Sequence, residues 1–534
     1  MAQTVSFSRY FFAVICQLIA YLITAFTALY LPISLGLLVL QNDPLIFSIN
    51  LFILLGEAVG LLFTIYLFFI LASALKTPHN SAPADFPLPN PAPIVTVILP
   101  VFNEPIEILQ PTLEAVIKLD YPQDRLEVIV VDDSIQPDLV VETKKLCETL
   151  GVNHQHRDNR AGFKAGAINS ILENTKGAFL LILDADQIPF PHLLQSTIPL
   201  FADEKVALAQ AKLSFRNMDC STRACAGLIH SEFYEVIEKA KDKRGTVTFP
   251  GTTGVFRKSA LLEIGGFSDE TLVEDFDTTV KLFSHGYRAH LADTYGSIGL
   301  TPWHFSSHVA QLWRWAQGTT AVFRKRVGLI LRSDLPRSDK LDVLLTALVT
   351  PASTSVLLLA IMLGIMVLFD VPMIRFGGSS HLYLIMPTFL LLGHLLSAAL
   401  AISWGKEEGV PRHSFWEIIP FYIFTIMILP FLISAVISGL RGKNCTFQRT
   451  EKQISGNQSN VKNPGPITFQ RVVLYSLLSF ILGFFLIGTG LLALLNGNIL
   501  FGWLLAVGLC CLLPVPLLLN DFRVHGARKV AITT

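Results

Sequence analysis

Two aspartates separated by one residue, Asp184 and Asp186, follow an apolar run of the sequence. If that run is a strand that continues through them, the alternation of side chains places both carboxylates on one face. Carboxylate oxygens suit hard divalent cations, and Mg²⁺ typically takes one or two carboxylates together with substrate phosphates. The pair therefore predicts a cation site for a phosphorylated substrate, while a polar turn before Pro189 is the alternative that fits the same residues.

A second acidic group, Glu274, Asp275 and Asp277, lies where a helix is expected to begin. Thr271 and Glu274 fit the S/T-x-x-E capping box, so Glu274 is interpretable as a helix cap. Asp275 and Asp277 then occupy the first turn, where the helix dipole favours their ionised forms. An ionised carboxylate at the edge of a site can act as a general base, and acids that only satisfy the dipole fit the pattern equally well.

A third motif, Gln311-Leu312-Trp313-Arg314-Trp315, has helical spacing. Gln311, Arg314 and Trp315 stand at i, i+3 and i+4 and so share one helix face. Arginine can pair bidentately with a diphosphate, and tryptophan offers a flat apolar face for stacking on a sugar. An amphipathic helix with Trp and Arg at the lipid headgroups is the alternative.

The composition indicates a membrane protein. Of the 534 residues, 51% are hydrophobic and 15% are charged, against about 25% charged in an average soluble domain. The 41 basic and 41 acidic residues cancel, which excludes a strongly basic protein with a nucleic-acid partner. The seven cysteines form no C-x-x-C pair, so neither a zinc site nor a redox pair is expected.

Long apolar runs occur towards both ends of the chain, and a bilayer span needs roughly 20 such residues. Runs of this size lie at about 11–40, 46–75, 343–371, 381–404, 415–440, 470–495 and 498–520. The run at 415–440 contains Glu417, Pro420 and Pro430 and has basic flanks. We therefore predict an interfacial or re-entrant segment there, which leaves six spans.

Lysine and arginine in the short loops predict the orientation. The loops at 41–45 and 496–498 contain neither, and the loop at 371–380 contains only Arg375. Basic residues flank the opposite ends of the apolar runs, namely Lys76, Lys340, Lys406, Arg412, Arg441, Lys443, Arg471, Arg523 and Arg528. The middle domain and both termini are therefore predicted to be cytoplasmic, in a multi-pass protein of the plasma or inner membrane.

The stretch between the two apolar regions predicts an α/β domain. Strand-like runs lie at 94–99, 126–131, 178–183 and near 206–215, and helical patterns lie at about 106–119, 138–150 and 161–174. Such alternation predicts a mostly parallel sheet, with ligands bound beyond the carboxyl ends of its strands. Polar residues follow three of these strands in succession: Asn103 and Glu104, Asp132 and Asp133, and Asp184 and Asp186. One sheet edge is therefore expected to be acidic.

These motifs, in this order, resemble the processive family 2 glycosyltransferases of the cellulose synthase superfamily, which includes cellulose, curdlan and mannan synthase-like proteins. The resemblance covers roughly residues 10–520. It rests on Val131-Asp132-Asp133-Ser134, Lys164-Ala165-Gly166, Asp184-Ala185-Asp186, Phe249-Pro250-Gly251-Thr252-Thr253, Val273-Glu274-Asp275, Gln311 to Trp315, and Phe447-Gln448-Arg449-Thr450-Glu451-Lys452. The last of these is similar to the family's gating loop.

The resemblance implies a role for each matching residue. It implies donor-nucleotide contacts for Asp132, Asp133, Lys164, Asp184, Gln311 and Arg314, with Lys164 near the base and Gln311 and Arg314 at the diphosphate or acceptor. It implies that Asp184 and Asp186 bind Mg²⁺ or Mn²⁺, and that Asp275 deprotonates the acceptor hydroxyl. It implies acceptor contacts for Trp315, Phe249 and Glu274, and closure over the nucleotide by Phe447, Thr450 and Lys452.

The predicted organisation is a helical membrane bundle of about six spans and interfacial helices, with an inserted cytoplasmic α/β domain of the GT-A glycosyltransferase type. Its parts are two N-terminal membrane helices at 1–76, a Pro-rich linker at 77–93, the GT-A domain at 94–300, interfacial helices with the Q-x-x-R-W motif at 301–340, membrane helices at 341–414, the interfacial or re-entrant helix at 415–440, the gating-loop region at 441–469, membrane helices at 470–520, and a cytoplasmic tail at 521–534.

The implied activity is inverting transfer from a nucleotide sugar, with UDP-glucose expected, to a growing β-linked glycan that is extruded across the bilayer. Accessory export subunits are left open. Two departures bear on this expectation: Phe249 to Thr253 is nearer the mannan and glucomannan pattern, and about fourteen residues after the last span leave no room for a cyclic-di-GMP-binding domain. The alternatives are a mannan or glucomannan synthase using GDP-mannose, transfer to a diacylglycerol or polyprenyl phosphate acceptor, and a transporter without catalysis.

Overall fold

The computed structural model describes residues 6–78, 88–374, 385–442 and 469–520. The described strands are β1 Val95–Val101, β2 Leu126–Asp132, β3 Asn153–His156, β4 Phe179–Ile182, β5 Ile188–Pro189, β6 Val206–Phe215, β7 Gly254–Arg257 and β8 Arg288–Gly299. They form one sheet with the order β3-β2-β1-β4-β7-β6-β8-β5. The four strand runs predicted from the sequence correspond to β1, β2, β4 and β6.

The sheet is parallel in one half and mixed in the other. β1 pairs in parallel with β2 and with β4, and β2 pairs in parallel with β3. β7 runs antiparallel to β4 and to β6, and β5 runs antiparallel to β8. β6 and β8 also pair in parallel. The prediction of a mostly parallel sheet is therefore right for β1 to β4 and for the β6–β8 pair, and it fails at β5 and β7, because strands this short give no periodic signal of their own.

Helices cover both faces of the parallel half. The helices of this middle region are α3 Ile106–Val116, α4 Pro137–Leu150, α5 Phe163–Leu172, α6 Leu193–Thr197, α7 Ser221–Glu232, α8 Lys239–Asp242, α9 Lys258–Glu263 and α10 Glu274–Ser284. Val97 of β1 lies in one core with Leu109 of α3, whereas its neighbour Ile98 lies in the opposite core with Ile168 of α5. Alternating strand residues thus bury apolar surface on two sides, as a doubly covered sheet requires.

The remaining helices are long and apolar, apart from the more polar α11. They are α1 Phe7–Val39, α2 Pro44–Lys76, α11 Phe305–Arg332, α12 Arg337–Leu368, α13 Ile385–Trp404, α14 Ile418–Arg441, α15 Phe469–Leu495 and α16 Trp503–Leu512. Within the described residues, six helices are long and apolar enough to cross a membrane: Phe7–Val39, Pro44–Lys76, Arg337–Leu368, Phe415–Arg441, Leu474–Leu495 and Trp503–Asn520. The predicted number of six is thereby met.

One of these six helices differs from the six spans that were predicted. Phe415–Arg441 meets the length requirement, while the described apolar part of the run at 381–404 is the shorter helix Thr388–Trp404. The polar features that argued against a span at 415–440 belong to a helix start: Glu417 closes a capping box with Ser414. A proline is tolerated in a first helical turn, where its missing N–H has no partner to lose, and Pro420 lies there. The interfacial placement of 415–440 stays a prediction.

Buried ion pairs tie the sheet to the helical segment 233–242. Lys212 of β6 and Lys239 of α8 share the carboxylate of Asp293 at 2.8 and 2.7 Å, and Lys212 also contacts Glu235 at 3.0 Å. Buried charges need such partners, since an unpaired buried charge would lower the free energy of unfolding by several kcal/mol. The pairs fix strands β6 and β8 against this helical segment.

Candidate active site

The two aspartates of Asp184-Ala185-Asp186 lie in a turn beyond β4. β4 ends at Ile182, and the turn is closed by a hydrogen bond from the amide of Gln187 to the carbonyl of Asp184 at 3.0 Å. The strand alternation invoked from the sequence is therefore wrong, and the polar-turn alternative describes the backbone correctly. The amide of Leu300 donates to Asp186 Oδ2 at 3.1 Å, which fixes this carboxylate beside the end of β8.

Lys164 binds the first of these aspartates. Its Nζ lies 2.5 Å from Asp184 Oδ1 and 2.6 Å from the carbonyl oxygen of Gly251. Gly251 has φ of +105°, and a Cβ there would approach Asp275 Oδ2 to 3.0 Å. The loop that contains Gly251 therefore brings Lys164, Asp184 and Asp275 together, through a backbone conformation that favours glycine. The predicted position of Lys164 near the nucleotide base stays untested.

Asp275 lies in the first turn of α10, and its side chain is half-buried. Burial, aided by the negative charge of Glu274, raises the pKa of Asp275 to about 7. The amide of Phe276 and the positive charges of Arg314 and Lys164 act in the opposite direction. A carboxyl group with a pKa near the working pH suits general-base catalysis, because it is ionised yet still basic.

The start of α10 differs from the predicted capping box. The helix begins at Glu274 as expected, but its N-cap residue is Val273, with no capping hydrogen bond from a side chain. The hydroxyl of Thr271 is buried and makes no hydrogen bond. The reason is geometric, since a box residue must stand immediately before the first turn and Thr271 stands two residues too early.

The carboxylate of Asp277, two residues from Asp275, makes contacts that stabilise the fold. Its carboxylate accepts hydrogen bonds from Arg326 Nε at 2.7 Å, Arg326 Nη2 at 3.0 Å and Ser268 Oγ at 2.6 Å. The side chain is fully buried. The interpretation of first-turn acids as structural therefore holds for Asp277, whereas Asp275 makes no such ion pair at hydrogen-bond distance within the described residues.

The ends of β1, β2 and β3 position the predicted nucleotide aspartates. Asp133 is held by Arg157, whose Nε and Nη2 each donate to one carboxylate oxygen at 2.6 Å. Asp132 is buried and accepts from the amide of Ser134 at 2.9 Å while contacting His154 Nε2 at 3.0 Å. Although burial opposes the ionised form, these hydrogen bonds hold the pKa of Asp132 below its usual value. Both aspartates are therefore buried and held by neighbouring side chains, and their contacts with a nucleotide stay predictions.

The Q-x-x-R-W motif lies on α11, and Arg314 is close enough to Asp275 to lower its pKa. Gln311 Oε1 is buried and has no hydrogen-bond partner in the structure. The ring of Trp315 packs edge-on against His230 of α7, with centroids 5.5 Å apart. The predicted shared face of the motif therefore points towards α7 and the start of α10, and the sugar contact of Trp315 stays a prediction.

Phe249, which was predicted to contact the acceptor, lies in the apolar core. Its side chain is 1% exposed and packs edge-on against Phe256, with ring centroids 4.8 Å apart. Glu274 stays half-buried beside Asp275. The predicted gating-loop residues Phe447, Thr450 and Lys452 lie outside the described residues.

Two contributions could not be predicted from the sequence: those of Arg157 and His154, which hold Asp133 and Asp132. Residues that hold a ligand-binding side chain in place follow no motif of their own, so neither residue gave a signal. Arg216 follows the predicted strand at 206–215, and the rule of polar residues at carboxyl strand ends, applied to basic residues, would have drawn attention to it.

The donor set at Asp184 and Asp186 fits Mg²⁺ or Mn²⁺. No group of three or more His, Cys, Asp or Glu side chains in the described ranges is placed to hold a metal ion by itself. Two carboxylates are sufficient for a hard cation that completes its coordination with substrate phosphates and water. The site is therefore expected to bind the metal together with its phosphorylated substrate.

Comparisons with known proteins agree with this arrangement. Residues 179–404 match the family model described as glycosyl transferase family group 2. A cellulose synthase catalytic subunit (UDP-forming) from Pseudomonas fluorescens is 30% identical over 365 residues, 66% of this chain and 47% of that protein. A probable glucomannan 4-beta-mannosyltransferase from Arabidopsis thaliana is 32% identical over 252 residues, 45% of this chain and 57% of that protein.

Solved structures are also similar to this chain. One of them is the mannosyltransferase PcManGT from Pyrobaculum calidifontis in complex with GDP-Man and Mn²⁺, at 23% identity and a TM-score of 0.49, covering 73% of this chain and 100% of that one.

The sheet with its acidic edge and its covering helices forms a domain of the GT-A type, which is joined to a bundle of apolar helices. Residues 179–404 are thus similar to glycosyl transferase family group 2, and the curated relatives that the chain resembles include a cellulose synthase subunit and a glucomannan mannosyltransferase. The chain spans about half the length of the cellulose synthase subunit from Pseudomonas fluorescens.

Proposed function

We propose that this protein is an inverting glycosyltransferase of the membrane that elongates a β-linked glycan from a nucleotide sugar and moves the chain across the bilayer. The observation that carries the proposal is the convergence of Asp275, Lys164 and Asp184 at the Gly251 loop. The carboxylate of Asp275, which can act as a base, then lies next to Lys164 and Asp184, which are suited to binding a diphosphate. UDP-glucose is the first candidate donor, and GDP-mannose is the second.

The chemistry follows from the charges. Asp275 accepts the proton of the acceptor hydroxyl as that oxygen attacks the anomeric carbon from the face opposite the leaving diphosphate. Arg314 and Lys164 place positive charge where negative charge develops on the leaving group. A divalent cation held by Asp184 and Asp186 would supply further neutralisation of the diphosphate when bound. One displacement at an α-linked donor yields a β-linkage.

A donor panel tests the proposal. Purified protein in lipid is incubated with labelled UDP-glucose, UDP-N-acetylglucosamine or GDP-mannose plus Mg²⁺ or Mn²⁺. We expect an ethanol-insoluble product of high mass that a linkage-specific β-glycanase digests. A short product soluble in organic solvent would indicate a lipid acceptor and reject chain elongation. Absence of nucleoside diphosphate release with every donor would reject catalysis.

The pH dependence of the reaction should follow the ionisation of Asp275. The charged and titratable groups around it are Glu274, Arg314, Lys164 and Tyr234. Because the base must be ionised, kcat/KM should rise with pH and reach half its plateau near pH 7. A profile that stays flat from pH 5 to pH 8, about where an unperturbed carboxyl is already ionised, would contradict this role.

A further inference from the structure

Arg216 is a half-buried cation beside the acidic edge of the sheet. It directly follows β6, and its Nε and Nη2 are shielded from solvent without a hydrogen-bond partner among the described residues. Two other arginines of the domain have carboxylate partners: Arg157 lies 2.6 Å from Asp133 and Arg326 lies 2.7 Å from Asp277. Arg160, Arg223 and Arg314 each have one buried nitrogen without a hydrogen bond among the described residues, whereas Arg216 has two. Buried N–H groups without partners cost free energy, so these two nitrogens of Arg216 need an explanation.

The backbone around Arg216 is fixed on both sides. Its amide donates to the carbonyl of Gly299 at 3.1 Å. The next residue, Asn217, donates from Nδ2 to the carbonyl of Thr301 at 3.1 Å and accepts from the amide of Thr301 at 2.8 Å. These three bonds attach residues 216 and 217 to the segment 299–301, so a shift of the arginine would have to break them.

The same segment holds the second aspartate of the cation site. Between Gly299 and Thr301 lies Leu300, whose amide donates to Asp186 Oδ2 at 3.1 Å. The space there is tight, because a Cβ at Gly299 would lie 2.0 Å from Gln187 Nε2. Arg216 and Asp186 are therefore positioned by one rigid strand end. They are close enough for the carboxylate of Asp186 to raise the pKa of Arg216, although burial, the larger effect, lowers it.

We propose that Arg216 binds a phosphate oxygen of the substrate, beside the cation site at Asp184 and Asp186. The guanidinium offers planar N–H donors that pair with phosphate oxygens, and its unpartnered nitrogens would gain the hydrogen bonds that the protein does not supply. This inference rests on the proposed function, which brings a diphosphate to the same edge. The donor's diphosphate is the first source of that phosphate, and a phosphorylated lipid acceptor is the second.

The test measures binding and not turnover alone. We expect Arg216→Gln to weaken UDP and GDP binding about 10- to 100-fold in the presence of Mg²⁺, the scale of a charge-assisted hydrogen bond to phosphate. Binding of uridine and guanosine, followed by ligand-observed NMR, should not change. Arg216→Lys should recover part of the loss, because an ammonium keeps the charge without the planar pair of donors.

Arg223→Gln is the matched control. Arg223 belongs to the helix that follows, but its guanidinium pairs with Asp219 at 2.7 Å and stacks over Trp303 at 4.2 Å. Nucleoside diphosphate binding should be unaffected in this variant. Thermal unfolding of each variant separates a folding defect from a ligand defect.

Each outcome has a defined meaning. If Arg216→Gln keeps its affinity for nucleoside diphosphates but raises KM for a polyprenyl phosphate acceptor, the phosphate belongs to the acceptor and the inference stands. If neither changes, the inference is overturned while the proposed function survives. If the wild-type protein binds no nucleoside diphosphate, the proposed function fails and the inference fails with it.

Discussion

Asp275→Asn should lower kcat by about 10²- to 10⁴-fold, the range that general-base catalysis contributes. Asparagine matches aspartate in size and can still accept the hydrogen bond from the amide of Phe276. It cannot take up a proton at neutral pH. The loss should therefore appear in turnover, while the affinity for UDP or GDP stays unchanged. Rates of nucleoside diphosphate release and titration calorimetry give the two quantities.

Glu274→Gln is the matched control for this variant. Glu274 is the neighbouring acid on α10 and contributes a repulsive charge that raises the pKa of Asp275. Its replacement should leave kcat at high pH largely intact and move the pH midpoint downwards. Near-normal polymerisation by Asp275→Asn would show that another group takes the proton.

Asp277→Ala should destabilise the domain strongly, although Asp277 does not contact the reacting atoms. The substitution leaves Arg326, whose side chain is 14% exposed, with Glu270 as its remaining partner, and it removes the acceptor of Ser268. Removing one partner of a buried ion pair costs about 3–5 kcal/mol of the free energy of unfolding. Denaturant titration in detergent, followed by tryptophan fluorescence, measures the loss.

A double variant shows whether the ion pair causes the effect. Asp277→Leu combined with Arg326→Met removes both charges and keeps apolar volume, so it should recover much of the lost free energy. Glu270 is half-exposed and can return to solvent. A single Asp277→Ala variant as stable as the wild type would contradict a structural role for the pair.

The elements with a regular pattern of buried residues could be predicted from the sequence. Long apolar runs predicted the membrane helices, and alternating runs predicted β1, β2, β4 and β6, because periodic burial leaves a periodic sequence. The sequence was insufficient for β5 and β7, whose pairing partners are remote in sequence. The run at 415–440 shows a similar limit. From the sequence, Glu417 could either close a capping box at a helix start or interrupt a membrane span, and the residue type alone does not distinguish the two.

The candidate site was predictable in its residue types and not in its contacts. Three strand ends with acids indicated one acidic edge, but only the fold shows that Lys164 reaches Asp184 and that Gly251 meets Asp275. Asp275 and Asp277 fitted the same two interpretations from the sequence. Arg326, about fifty residues away, decides between them by binding Asp277.

The anomeric configuration of the bond formed from an α-linked donor tests the central claim most directly. Proton NMR of the product distinguishes the two anomers by their coupling constants when the sugar is glucose. Single displacement with Asp275 as base predicts a β-linkage throughout. An α-linkage would contradict single displacement, because it requires either two inversions with a covalent intermediate or front-face attack.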